Sequence, residues 1–202
     1  MHGKFVVFDG IDGSGKTTQR ELVRNALVAA GIDVIVTREP GGTPISEEIR
    51  SVLLSPNLGD FSGTTEMLLV FAARAQHLDQ LIRPRLESGT WVLCDRFSTS
   101  TFAYQVRARG LSESLFNTLC QEVIGDTRPD FSFLFDLPEE IASSRVGQRF
   151  GQQDRFDLER TEFFRLARAG YREIAERDGH IRIDASRSIE EVTQAILAHL
   201  LP

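Results

Sequence analysis

Cysteine is scarce in this chain of 202 residues: Cys94 and Cys120 stand apart, and the four histidines are scattered. A disulfide or zinc framework is therefore not expected. No apolar run approaches the roughly 20 residues of a membrane span, and the N-terminus has neither the apolar core nor the cleavage site of a leader. A cytoplasmic chain without a membrane partner is the expectation. Lysine is nearly missing, occurring only as Lys4 and Lys16, so the other basic residues are arginine. Arginine suits bidentate recognition of phosphate, although GC-rich coding leaves the same bias. Positive charge is not in excess either. With a net charge of −6, a general attraction to nucleic acid or anionic membrane is not expected, so basic residues must act locally.

What is present is an ordinary globular balance, 41% hydrophobic and 26% charged, in which strand and helix patterns alternate. Short apolar runs with β-branched residues predict strands at 4–9, 33–37, 90–95, 131–136 and 180–184. Helical spacing predicts helices through Leu22, Val23, Ala26, Leu27 and Ala30, over about 45–53, 64–87, 98–108, 112–125, 138–149 and 158–178, and through Ile189, Val192, Ile196 and Leu200. Without repeats or low-complexity linkers, this reads as one α/β domain over 1–202 with a five-stranded, largely parallel sheet. Ligands gather at the carboxyl ends of such strands, where Asp9, Arg38, Asp95 and Asp136 fall.

The stretch Gly10-Ile11-Asp12-Gly13-Ser14-Gly15-Lys16-Thr17 matches G-x-x-x-x-G-K-[ST] in full, after a strand and before a helix. Its glycines let backbone N–H groups turn onto phosphate oxygens, aided by the positive end of the helix. Lys16 is expected to neutralise the β- and γ-phosphates, and the Thr17 hydroxyl to ligate Mg²⁺. An apolar strand ending in aspartate normally helps to hold that metal. Asp95 and Asp136 both qualify. Asp136 runs into Leu-Pro, a strand exit and helix start, whereas Asp95 is followed by Arg96 and pairs a carboxylate for metal with a guanidinium for phosphate. Asp95 is the favoured candidate.

No N-K-x-D motif for reading guanine occurs, which disfavours a GTP switch. Arginines favour a kinase, because transfer to an anionic acceptor holds two phosphate groups together against repulsion. Arg38, Arg74, Arg96, Arg145, Arg149 and Arg155 follow different strands or lie on intervening helices. Arg20, Arg24, Arg165, Arg168 and Arg172, at helical spacing, read as solvated faces. Cys94 reads as buried strand packing rather than a reactive thiol.

Four stretches then carry a resemblance along the whole chain: REPGGTP (38–44), FAARAQH (71–77), CDRFSTSTFAYQ (94–105) and DRFD (154–157). Together they resemble the thymidylate kinase family. That implies the P-loop nucleoside-monophosphate kinase fold, ATP and dTMP as substrates, Mg²⁺, and a homodimer. By the same resemblance, Gly10 to Thr18 (Gly10, Ile11, Asp12, Gly13, Ser14, Gly15, Lys16, Thr17, Thr18) and Arg145 contact ATP, with Arg145 against the adenine. Phe71 stacks on thymine, Arg74 donates to its carbonyl, Thr101 and Gln105 face the base, and Tyr104 lies beneath the deoxyribose. Arg38 and Arg96 bind the dTMP phosphate, and Asp12 stands near the 3′-hydroxyl. A lid at about 145–157 follows; since Gly13 leaves the loop neutral beside Asp12, the resemblance is to members whose lid brings the catalytic charge, here Arg149 and Arg155. Asp9 and Asp157 stand where relatives often carry Glu. A deoxynucleoside kinase or another nucleoside-monophosphate kinase is the alternative within enzymes, and a non-catalytic nucleotide-binding protein the alternative outside them.

Overall fold

The computed structural model of the chain describes residues 2–59, 61–138, 141 and 161–201. Five strands, β1 (Phe5–Asp9), β2 (Val34–Arg38), β3 (Trp91–Asp95), β4 (Phe131–Asp136) and β5 (Ile181–Asp184), form one sheet in the order β2-β3-β1-β4-β5. Every neighbouring pair is parallel. The central strand is buried along its whole length, and its side chains divide by the two-residue period of a strand. Val6 and Phe8 enter one core with Val23 and Leu27, whereas Phe5 and Val7 enter another with Leu78, Ile82 and Phe97.

Helix α1 (Lys16–Ala29) follows β1, and α2 (Pro44–Leu54) follows β2. Helix α3 (Gly63–His77) continues through a π-helical turn, Leu78–Ile82, into α4 (Arg83–Glu87), as the predicted long helix requires. After β3, α5 (Ser98–Thr101) opens into a π-helical stretch, Phe102–Ala108, and α6 (Glu113–Leu119) runs into another, Cys120–Ile124. Helices α7 (Thr161–Asp178) and α8 (Ile189–Leu200) complete the described chain. The predicted helix over 138–149 and the segment 145–157 lie almost entirely outside the described residues. No described helix is long and apolar enough to cross a membrane.

The helices differ in how they begin. Thr43, Ser62, Ser112 and Ser188 each accept a backbone N–H at the start of α2, α3, α6 and α8, and each of these helices carries an acid in its first turn. Such groups satisfy amides that have no partner inside the helix. Helix α1 instead begins at Gly15, whose φ of 88° suits glycine, with neither a side-chain cap nor an acid in its first turn. Its free amides and positive end are left for an external anion.

Candidate active site

Two adjoining cavities lie at the carboxyl ends of the strands. The polar one, about 240 Å³, is lined by the P-loop residues Asp12, Gly13, Gly15, Lys16 and Thr17 together with Arg20, Arg38, Glu39, Arg50, Asp95 and Arg96. Lys16 is buried. Its Nζ donates to the carbonyls of Gly10 (2.9 Å) and Ile11 (2.8 Å) and to Ser14 Oγ (3.3 Å). Burial, followed by the nearby Arg96 cation, lowers its ammonium to about 8, against the pull of Asp95, Asp12 and Asp9. A phosphate would supply the opposite charge that these carbonyls provide only as partial dipoles.

Thr17 Oγ1 donates to Asp95 Oδ2 at 3.2 Å, and the other carboxylate oxygen, Oδ1, is buried with no hydrogen-bond partner. A hydroxyl beside an incompletely satisfied carboxylate is a hard-oxygen set suited to Mg²⁺. No group of three or more His, Cys, Asp or Glu among the described residues could hold a metal alone. An ion at Thr17 and Asp95 would therefore complete its shell with phosphate oxygens and water.

The second cavity, about 130 Å³, is walled by side chains from distant segments, among them Pro40, Leu53, Val70, Arg74, Thr101, Tyr104 and Gln105. Thr101, Tyr104 and Gln105 share a helical face through their spacing of three and four residues. The last two sit on the π-helical stretch, a form frequent at functional sites.

Arg74 anchors this cavity. Its Nε donates to Glu39 Oε2 (2.7 Å) and its Nη2 to Thr101 Oγ1 (3.0 Å), while Nη1 is buried without a hydrogen-bond partner. Glu39 Oε1 also accepts from His77 Nδ1 (3.1 Å), and His77 Nε2 meets Thr37 Oγ1 at 2.7 Å. This network explains Gly42 in REPGG. A Cβ there would come within 2.4 Å of His77 Nε2, which closes the position to any larger residue.

Arg96 joins the two cavities. Its φ of 71° is left-handed and strained for a residue with a side chain. The guanidinium donates to Gly10 O (3.2 Å), Ser100 Oγ (3.2 Å) and Tyr171 OH (2.7 Å) through Nη1, and to Asp12 Oδ1 (2.6 Å) through Nη2. Ser100 donates onward to Asp9 Oδ1 at 2.5 Å. Burial raises the Asp9 carboxyl above its ordinary range, and the Ser100 hydrogen bond and Arg96 pull it down. The ring of Tyr104 lies 5.3 Å beneath the Arg96 guanidinium. Asp12, Glu39, Arg50 and Arg96 line both cavities.

Most of the expected residues meet here, but Phe71 does not line the base-side cavity. Its ring is 2% exposed, packed edge-on against Phe116 (6.1 Å) and covered by the Arg74 guanidinium (4.8 Å). The preceding residue, Val70, takes the wall position, because a one-residue step rotates a helical side chain by about 100°. Arg38 faces the phosphate cavity with its Nη2 on Glu47 (2.9 Å). Arg145, Arg149 and Arg155 lie outside the described residues.

Arginines read as solvated prove mixed. Arg24 and Arg165 pair with near neighbours on exposed faces. Arg20 instead lines the phosphate cavity and donates to Thr37 O (3.1 Å), and Arg168 and Arg172 converge on Asp136 with Arg182. Asp136 is thereby engaged structurally, and its carboxyl is held below its ordinary range because those arginines outweigh its burial. Cys94 is buried and its thiol is pushed well up by burial. Glu39, Arg50, Glu66, His77, Ser100 and Tyr171 were not picked out from the sequence; the REPGG and FAARAQH stretches hold two of them but carry no signal for the contact between them.

A larger cavity of about 610 Å³ lies between the Cys120–Ile124 turn and the end of α7, lined in part by Phe97, Phe116, Arg128 and His180. It is separate from the P-loop. A strand–loop–helix with free amides, opening beside a second arginine-bearing cavity, defines a P-loop phosphotransferase of the nucleoside-monophosphate kinase fold. Comparison with known proteins narrows the class: the family described as thymidylate kinase matches residues 8–196. The chain is 50% identical over 198 residues to a protein named thymidylate kinase from Pseudomonas fluorescens (strain Pf0-1), covering 97% of this chain and 94% of that protein. It is 48% identical over 204 residues to the thymidylate kinase of Pseudomonas syringae pv. tomato, covering 100% and 96%. The chain belongs to the thymidylate kinase family.

Proposed function

We propose that the chain transfers the terminal phosphoryl group of ATP to dTMP, giving ADP and dTDP. The observation that carries this reading is the shared wall: Asp12, Glu39, Arg50 and Arg96 border both cavities, so phosphates held in each would abut. An oxygen of the acceptor phosphate attacks the γ-phosphorus as the bond to the β–γ bridging oxygen breaks. Holding these anions in line and offsetting their charge is most of the catalysis.

In this reading the Gly10–Thr18 backbone and Lys16 cradle the donor phosphates, and Thr17 and Asp95 hold Mg²⁺, which when bound supplies positive charge to the β- and γ-oxygens. Arg38 and Arg96 take the acceptor phosphate, and Asp12 stands beside the deoxyribose while holding the Arg96 fork. Arg74, Thr101 and Gln105 read the base, and Tyr104 lies beneath the deoxyribose. The lid reading rests on the resemblance and on Gly13: Arg145 lies against the adenine, and Arg149 and Arg155 add charge in the transition state. Exchanging both lid arginines for Ala should lower kcat well beyond threefold. A smaller loss, about 0.7 kcal/mol of barrier, would end that assignment. The protein is read further as a cytoplasmic homodimer, which sedimentation equilibrium at the mass of one chain would refute.

ADP release measured side by side with dTMP, thymidine, dUMP, CMP and AMP tests the reaction. dTMP should give the highest kcat/KM, and preference for another acceptor would overturn the reading. A nucleoside acceptor carries no phosphate and would give Arg38 and Arg96 no acceptor phosphate to hold. ATP binding without turnover on any acceptor would indicate the non-catalytic alternative.

A further inference from the structure

We infer that Glu66 selects the base by fixing the amide of Gln105. Glu66 opens α3, is fully buried and is not among the residues lining the acceptor cavity. Its Oε1 accepts from Gln105 Nε2 at 2.7 Å and from Arg109 Nε at 2.9 Å. The Arg109 guanidinium can only donate, so this oxygen is committed as an acceptor. Gln105 must then turn its NH₂ toward Glu66. The amide is planar, and the polar atom left for the cavity side is its carbonyl oxygen, an acceptor.

Arg74 supplies the opposite polarity. The residue is 1% exposed, and its Nη1 is a buried donor without a hydrogen-bond partner. One fixed acceptor and one fixed donor complement a base edge that sets a ring N–H beside a carbonyl. Thymine and uracil carry that edge. Cytosine inverts both positions, placing a ring-nitrogen acceptor against the Gln105 oxygen and an amino donor against Arg74. A site whose buried polar groups would be left unmatched rejects such an analogue strongly. A glutamine free to rotate about its last bond would serve either edge. Glu66, a positioning residue, removes that freedom. The inference rests on the dTMP reading of this cavity.

The test compares kcat/KM for dTMP and 5-methyl-dCMP, which differ only at this edge, in the wild type, Glu66→Met, Gln105→Met and the double variant. Preference for dTMP should fall about tenfold or more in each single variant and no further in the double. Glu66→Gln keeps an acceptor oxygen for both donors and should retain the preference. A folded Glu66→Met with a preference within about threefold of wild type, or a double variant showing the product of two independent losses, overturns the inference. Should Glu66→Met fail to fold, wild-type affinities decide: 5-methyl-dCMP must bind about tenfold or more weakly than dTMP, and equal affinity overturns it. dTMP turnover with an unmoved preference refutes this inference alone, whereas wild-type preference for an acceptor without the thymine edge refutes the dTMP reading as well.

Discussion

The donor and acceptor cavities are built on opposite plans. The donor side takes nearly half of its lining from one short loop, Asp12, Gly13, Gly15, Lys16 and Thr17, and presents backbone amides with one buried lysine turned onto its own loop carbonyls. The acceptor side is assembled from side chains on α2, α3, α5 and the segments after β2 and β3, paired with one another: Arg74 with Glu39, Glu39 with His77, Gln105 with Glu66. A cradle of amides suits a polyphosphate that every such enzyme shares. A wired set of side chains suits the discrimination of one base. The first plan should fail in catalysis and the second in stability and specificity.

The largest expected effect falls on the donor side. Lys16→Met should lower kcat/KM for ATP about a thousandfold while leaving the melting temperature at or above that of wild type, because a cation whose burial disfavours its charge is removed. A melting temperature several degrees lower would break the comparison. Arg74→Met should do the reverse. Stranding Glu39, 3% exposed, without its cation costs about 3 kcal/mol or more, a melting shift near 6–12 °C for a chain of this size. Adding Glu39→Gln should restore part of it, and thermal melts of both variants decide.

A smaller effect comes from pH. The Lys16 ammonium, lowered to about 8 by burial and Arg96, loses its proton as pH rises through that value, whereas an unfolded lysine holds it to about 10.4. Its penalty on stability is thus full below pH 8 and is relieved across that window as pH rises. ATP favours the charged form, so at pH 9 its binding should take up a proton, and its affinity should be about tenfold below that at pH 7. Calorimetry in buffers of different ionisation enthalpy measures the uptake, and Lys16→Met should abolish it. The smallest effect is a control outside both cavities: Ser188→Ala breaks the capping box of α8 and should cost about 1 kcal/mol with kcat and KM unchanged.

The same contrast governs what could be read from residues alone. The P-loop was legible because its function follows from local backbone geometry that glycine spacing writes into the chain. Asp95 was separable from Asp136 because Arg96 follows it directly, and the Asp136 cluster with Arg168, Arg172 and Arg182 agrees with a structural role. Phe71, named as the thymine ring by the resemblance alone, lies under Arg74 while Val70 lines the cavity, a difference of one helical step that side-chain packing decides. Glu66 gave no signal at all: an acid in the first turn of a helix reads as a capping charge until Gln105, on another helix, is seen beside it.

Five strands alternating with helices, the phosphate loop and the arginine-bearing strand ends were determined by the sequence itself, because periodicity, glycine placement and the parallel-sheet rule act over short spans of chain. Which arginine is buried, which carboxylate is committed to which donor, and which way an amide points were decided only by the tertiary structure. Those properties depend on desolvation and pairing between groups far apart in the chain, and neither exists until the sheet brings them together.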